Sequence, residues 1–283
     1  MTVVGVVHPG DMGAAVAGQL VAAGSVVLWC GAERSPATRR RAAAAGLTET
    51  RTLAELVARS QVILSLCPPA NAEQVADQVA RLDFGGVYVE ANAISPARVA
   101  RIASRLGAST SAVVDGAVIG SPPREGKSTR LYLAGQGEAV HLVADLFAGT
   151  AVEARILPGG SGKASALKLS YSSYQKASRA LAAVAHGLAT AHGVQDELID
   201  IAAQRTTNYL SEVDYVPKVA ARSWRWAPEM GEAADALRAA GLPAEFAEAA
   251  AEVMIRWQDA KDSDLTVADA LQYLGGAVPG STG

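Results

Sequence analysis

The first twenty residues, MTVVGVVHPGDMGAAVAGQL, pass from a short apolar run through a glycine-bearing turn into a stretch of small residues with helical character. Val3–Val7 reads as a buried strand, and Asp11–Ala23 as a helix that starts almost at once. A strand feeding a helix through so tight a turn brings free backbone amides and the positive end of a helix dipole to one point. That arrangement receives the pyrophosphate of a dinucleotide. The full glycine pattern for it is GxGxxG. Here the stretch reads His8-Pro9-Gly10-Asp11-Met12-Gly13 and keeps the second and third glycines. Gly10 permits close approach of a ligand to the backbone, and Gly13 permits the helix to pack on the strand. Pro9 restricts the turn, and His8 supplies a side chain where glycine has none. His8, Pro9, Gly10, Asp11 and Met12 are therefore the expected contacts of a bound cofactor.

The alternation continues beyond this unit. Ser25–Cys30, Val62–Leu66, Val87–Glu90 and Ala112–Asp115 read as further strands, with helices at Pro36–Ala45, Ala72–Leu82 and Pro96–Leu106. Leu131–Ala134 and Val152–Ile156 read as strands around a helix at Glu138–Phe147. Short apolar runs alternating with amphipathic helices specify a parallel, doubly wound sheet. The fold class expected is α/β: an N-terminal Rossmann sheet, a long interdomain helix and an all-α C-terminal domain. After Pro158-Gly159-Gly160 the pattern turns helical, and Ser161 to about His192 predicts one helix of about 45 Å. The domains expected are 1–158 for the dinucleotide, 159–275 for substrate and dimerisation, and a disordered tail at 276–283. Gly241-Leu242-Pro243 predicts a helix break.

With 50% hydrophobic residues, 19% charged residues and a net charge of −3, the 283-residue chain has no electrostatic case for binding nucleic acid. No apolar run is long enough to span a bilayer, and no signal peptide precedes the first strand. Cys30 and Cys67 fall in or just after strands and read as buried free thiols of a reducing compartment. The expectation is a cytoplasmic protein. His186 and His192 have no metal-ligand spacing around them, and no metal is expected.

Cofactor choice is written after the second strand. An acidic residue there holds the ribose hydroxyls of NAD(H), whereas arginine and hydroxyls accommodate the 2′-phosphate of NADP(H). The strand end carries Cys30 and Gly31, neither acidic, followed by Ala32-Glu33-Arg34-Ser35 and then Thr38, Arg39, Arg40 and Arg41. Arg34 and Ser35 form the expected phosphate clasp, with Arg39 a helical turn further on, and NADP(H) is favoured over NAD(H). The alternative is a solvated basic face with Glu33 in the acidic role.

Three later segments carry a family resemblance. Tyr88-Val89-Glu90-Ala91-Asn92-Ala93-Ile94-Ser95-Pro96 resembles the D-x-S-T-x-S-P segment of the β-hydroxyacid dehydrogenases, within the 6-phosphogluconate dehydrogenase-like superfamily. Asp115-Gly116-Ala117-Val118-Ile119-Gly120-Ser121-Pro122 resembles their D-A-P-V-S-G-G substrate segment, and Gly160-Ser161-Gly162 with Lys168 resembles their GxGxxxK helix. All three stand in family order, over roughly the first 190 residues. HPGDMG, DGAVIGSPP, TRLYLAG, LKLSYSSYQK and SWRWAPEM look like a separate branch with its own C-terminal domain.

The resemblance implies an oxidoreductase that interconverts a carbonyl and a secondary alcohol on a small, carboxylated substrate. Imine reduction and cofactor binding without catalysis are the alternatives. It implies Lys168 as general acid/base, with Lys163 the runner-up about 140° away around the helix. Where the family carries Asn four residues after the lysine, this chain has Ser172, shorter and with a single hydroxyl. Tyr171, at i+3 from Lys168, either assists the proton transfer or packs. The cofactor site extends to Cys67, Pro68 and Asn92. The substrate is expected at Ser95, Gly120, Ser121 and Pro122, although Pro122 has no amide to donate. The loop Lys127-Ser128-Thr129 is a candidate replacement for the lost anion contact. Ser95-Pro96 also reads as a helix cap. Arg222-Ser223-Trp224-Arg225-Trp226 reads as packing, or as closure over an acidic substrate. The resemblance further implies a homodimer formed through the helical domain.

Overall fold

The computed structural model describes residues 1–124, 126–204, 209, 212–261 and 263–275. The expected tail at 276–283 lies outside them, as do the side chains of Arg225 and Glu229. The chain divides into two compact units, Met1–Ser172 and Ser173–Gly283.

The first unit is built on eight strands: β1 Val3–Val6, β2 Val26–Cys30, β3 Thr48–Thr50, β4 Val62–Ser65, β5 Val87–Glu90, β6 Ala112–Ile119, β7 Thr129–Ala134 and β8 Val152–Ile156. They form one sheet in the order β3-β2-β1-β4-β5-β6-β7-β8. The first six pair in parallel, and β6 turns back on β7 antiparallel. The order reverses between β1 and β4, and there the carboxyl ends of the strands open the crevice in which such sheets bind dinucleotides.

Alternation along the strands sends side chains to two apolar layers. Val4, Val6, Val89 and Val114 face α1 (Asp11–Ala22) and α6 (Glu138–Asp145), where Val16, Leu20, Val140 and Val143 close the core. Ile63 and Tyr88 face α4 (Ala72–Ala80) and α5 (Pro96–Leu106), against Val75, Val79, Val99, Ile102 and Leu106. Each such aliphatic side chain stabilises the fold by roughly 1.5–3 kcal/mol. α5 also shows why its bounds are sharp. The Ser95 hydroxyl caps the start by accepting from Arg98 N, Pro96 occupies the first turn, and Gly107 ends the helix at φ 66°.

Three elements differ from the sequence expectation. β3 and the short helix α3 (Leu53–Arg59) occupy a segment for which the pattern predicted nothing. β6 runs four residues past Asp115, because Gly116 is a strand residue and the strand goes on to pair with β7. α2 (Pro36–Ala44) and the remaining elements agree with expectation to within two residues at most bounds.

The long helix α7 spans Lys163–His192. Its beginning folds with the sheet, so compactness places the division inside the helix and not at its start. The second unit is helical, with α8 (Gln195–Ala203), α9 (Val216–Ala239), α10 (Glu245–Ile255) and α11 (Val267–Leu274). Trp257 is buried against Ala220, Ala260 and Ala270, and its indole N–H donates to Ala270 O at 2.7 Å. The break at Gly241 takes φ 69° between α9 and α10. Trp224 is 48% exposed, with the Lys261 ammonium 4.3 Å above its ring.

Candidate cofactor and active site

At the β1–α1 turn the two retained glycines have different reasons to be there. A Cβ on Gly13 would lie 2.5 Å from the His8 carbonyl oxygen, so the turn itself demands glycine. A Cβ on Gly10 would meet nothing within 4 Å. Gly10 is also the N-cap of α1 and brings no side chain to its amides. A helix start left uncapped, with open space in front of the cap residue, fits a pyrophosphate. Asp11, Met12 and Gly13 form the first turn behind it, and the Asp11 carboxylate is turned outward to Arg124 at 2.7 Å.

The β2 end carries the second part of the cleft. Glu33 adopts φ 58°, the left-handed region, and the reversal brings Arg34 back over β1. Arg34 Nη1 lies 2.9 Å from His8 Nδ1, and its Nη2 reaches the Val7 carbonyl at 3.5 Å. Arg34 Nε is buried with no hydrogen-bond partner among the described residues. Burial, and then the charges of Arg34 and Arg41, hold the His8 imidazole below the usual histidine range. Ser35 caps α2, accepting from Thr38 N at 3.3 Å. Arg39, expected to join Arg34, is instead tied to Glu49 and to the Gly31 carbonyl. Arg41 takes the neighbouring position, with contacts to Pro9 O at 3.5 Å and Thr38 Oγ1 at 3.2 Å.

The ends of β4 and β5 are joined by one amide. Asn92 Nδ2 donates to Ser65 Oγ at 3.0 Å and to Glu90 Oε1 at 2.5 Å, and Asn92 Oδ1 accepts from Cys67 N at 2.6 Å. Cys67 is half-buried and Pro68 exposed. Burial, with the Glu90 charge next in effect, pushes the Cys67 thiol up to about 11, so it stays protonated at neutral pH. Glu90 is fully buried, and Asp115 is its cross-strand partner on β6. Asp115 is equally buried and pins the start of α7. It accepts from Ala164 N at 2.9 Å, Ser165 N at 3.1 Å and Ser165 Oγ at 2.5 Å.

That pin places Lys168 one turn further along α7. Its Nζ donates to the Val118 carbonyl at 2.7 Å, next to the strand end that leads into Gly120, Ser121 and Pro122. Gly120 takes φ 136°, and a Cβ there would lie 2.7 Å from Thr129 Oγ1. Tyr171 is 37% exposed and Ser172 is buried on the same helix. Lys163 is exposed and folds back towards Gly159. In the loop proposed from sequence as a replacement anion site, Ser128 Oγ donates to Glu153 and Thr129 Oγ1 to Ile119 O. Ser95 is engaged as the cap of α5. Sequence reasoning passed over Glu90, Asp115, Ser165 and Arg41. Two carboxylates at adjacent strand ends of an otherwise apolar sheet were the signal for the first two.

A six-strand parallel order with an uncapped glycine turn at its switch point defines a dinucleotide-binding Rossmann fold. The chain belongs to the 6-phosphogluconate dehydrogenase-like family: residues 3–159 match its NAD binding domain. Residues 189–257 match a domain of unknown function, DUF1932. Among solved structures, the conserved protein MTH1747 is of unknown function and is described as similar to 3-hydroxyacid dehydrogenases. It matches at 25% identity and a TM-score of 0.58, over 91% of this chain and 97% of that one. A reductive aminase from Aspergillus terreus, in complex with NADPH and ethyl levulinate, matches at 17% identity and a TM-score of 0.74. That match covers 96% of this chain and 99% of the aminase. An imine reductase from Bacillus cereus matches at 18% identity and a TM-score of 0.70, over 98% of this chain and all of that one. At these identities the last two are likenesses of fold. No protein of curated function matches the chain. Among the described residues, no helix is long and apolar enough to cross a membrane.

Proposed function

We propose that the chain is an NADPH-dependent oxidoreductase acting between the carbonyl and secondary alcohol of a small, carboxylated substrate. The observation that carries this reading is the 2.7 Å tether of Lys168 Nζ to Val118 O, which sets an ammonium beside the Gly120–Pro122 turn. A bound nicotinamide supplies or accepts the hydride. Lys168 moves the accompanying proton: it protonates the substrate oxygen when a carbonyl is reduced, and takes that proton back when the alcohol is oxidised. Alcohol and oxidised dinucleotide thus balance carbonyl, reduced dinucleotide and one proton. Gly120 and Ser121 offer amides to the substrate carboxylate, while Tyr171 and Ser172 line the helix face three and four residues beyond the lysine. Preference for the 2′-phosphate rests on Arg34, whose buried Nε lacks a partner among the described residues, with Ser35 and Arg41 beside it.

Imine reduction is the second reading. Ser172 favours it, because a single hydroxyl grips a hydroxy acid less firmly than the amide it replaces. We also propose a cytoplasmic homodimer. The free thiols Cys30 and Cys67 suit a reducing compartment. The helical unit leaves Leu181, Ile199 and Ile201 between 47% and 67% exposed, apolar surface that a second copy would cover.

Fluorescence titration with NADPH and NADH tests the cofactor, and turnover on 3-keto acids, 3-hydroxy acids and cyclic imines tests the reaction. NADPH preference lost by about tenfold or more in Arg34→Ala supports the clasp. Keto-acid turnover abolished in Lys168→Ala supports the proton role, and unchanged turnover refutes it.

A further inference from the structure

Glu90 is a carboxyl placed where an apolar residue would pack. It is fully buried, on the α4–α5 face of β5, with Tyr88 two residues before it. Its Oε1 accepts two N–H groups of one residue, Asn92 N at 3.0 Å and Asn92 Nδ2 at 2.5 Å. Oε2 has no hydrogen-bond partner among the described residues.

The two bonds to Oε1 decide which way the Asn92 amide points. With Nδ2 drawn to Glu90 and Ser65, Oδ1 is left to receive the Cys67 amide. Rotated by half a turn, Asn92 would set its NH₂ against the Cys67 N–H and its oxygen against Glu90, four clashing atoms around a buried amide. In a sheet of this order the adenosine half of a dinucleotide lies over β1 and β2, and the nicotinamide half over β4 and β5. The segments Asn92 joins, residues 66–68 and 91–95, are the loops after β4 and β5.

We propose that Glu90 is the positioning residue of the nicotinamide end of the cleft, orienting the Asn92 amide that locks the loop after β4 to the loop after β5. The inference rests on the nicotinamide-binding reading above. Several groups face this carboxyl: Asp115 from β6, Arg98 from α5, Tyr88 on its own strand, and Cys67 after β4. Burial raises it to about 7, the two Asn92 N–H groups oppose that rise, Asp115 adds to it and Arg98 opposes it. Oε1 is occupied as an acceptor, so the titrating proton sits on Oε2. The lock therefore changes charge near neutrality.

The test compares two ligands on the full chain. NADPH spans both halves of the cleft, and 2′,5′-ADP occupies only the adenosine half. Glu90→Ala is expected to weaken NADPH by about tenfold, the order expected when a buried network loses a member, and to leave 2′,5′-ADP within about twofold. Glu90→Gln, which keeps the Oε1 acceptor, is expected to restore NADPH binding. The unaltered chain is expected to show a pH dependence of bound-nicotinamide fluorescence between pH 6 and 8, and Glu90→Gln is expected to flatten it. Equal weakening of both ligands in Glu90→Ala, or a glutamine variant with the original pH profile, overturns the proposal. The profile alone decides if the alanine variant fails to fold. An unaltered chain that binds neither ligand overturns the nicotinamide reading itself, and this proposal with it.

Discussion

A chain carrying Glu90→Gln differs from the original in how its stability responds to pH, and the sign follows from the burial of this carboxyl. The group is raised from 4.5 in the unfolded chain to about 7 in the fold, with burial as the largest cause. Between those two values the folded state binds more protons than the unfolded state, so stability falls as pH rises. Stability from this group is complete below pH 4.5 and is lost as pH climbs through about 7. The full shift corresponds to about 3 kcal/mol, most of it, about 2.5 kcal/mol, lost between pH 5 and pH 8. Glutamine has the shape of the protonated acid and no charge to bury. Denaturant unfolding of both chains at pH 5, 6, 7 and 8, followed by circular dichroism, reads the difference directly. The glutamine chain should gain on the original steadily through that range. Parallel profiles, or an original chain that gains on the variant as pH rises, would refute the reasoning.

The two turn glycines should separate folding from binding. Gly13→Ala forces a Cβ against the His8 carbonyl and should cost about 1–3 kcal/mol of stability by denaturant unfolding. Gly10→Ala, whose Cβ meets nothing in the chain, should leave stability within about 0.5 kcal/mol while NADPH affinity falls in a titration. If the two variants behave alike, the cradle is misread. Asp115→Ala strips the partners from Ala164 N, Ser165 N and Ser165 Oγ and should cost about 2–4 kcal/mol. Amide exchange at the start of α7 should accelerate with it, and unchanged protection there would count against the pin.

The doubly wound sheet could be read from the chain because its strands are short apolar runs bounded by turn residues, and its helices bury one face. Val87–Glu90, Pro96–Leu106 and Val152–Ile156 match expectation at both ends. β3 escaped because a three-residue edge strand, Thr48–Thr50, buries one side chain and has no apolar alternation. α3, at seven residues, is too short to show a helical period. Asp115-Gly116 looked like the end of a strand, but Gly116 is glycine because a Cβ there would press on Ala91 Cβ at 3.2 Å. At the site, Lys168 was singled out by the family resemblance alone, whereas its contact, a backbone carbonyl, has no sequence signature. The exchange of Arg39 for Arg41 depends on which guanidinium Glu49 captures, and Glu49 lies in the segment that showed no pattern. Asp115 bonds to the start of α7 and Glu90 works, through Asn92, on the loop after β4, links that a linear pattern does not register.

The contact between Arg34 and His8 fixes more than a position. A guanidinium can only donate, so His8 Nδ1 must be the acceptor of the 2.9 Å bond and the ring must be neutral, with its hydrogen on Nε2. The arginine thereby selects the tautomer of the histidine. The ring has an N–H as its remaining polar atom and no free lone pair. A histidine in this state is a poor metal ligand and a poor base, but a good hydrogen donor to oxygen. Where nucleotide-binding turns ordinarily leave a bare backbone, this chain carries a side-chain N–H.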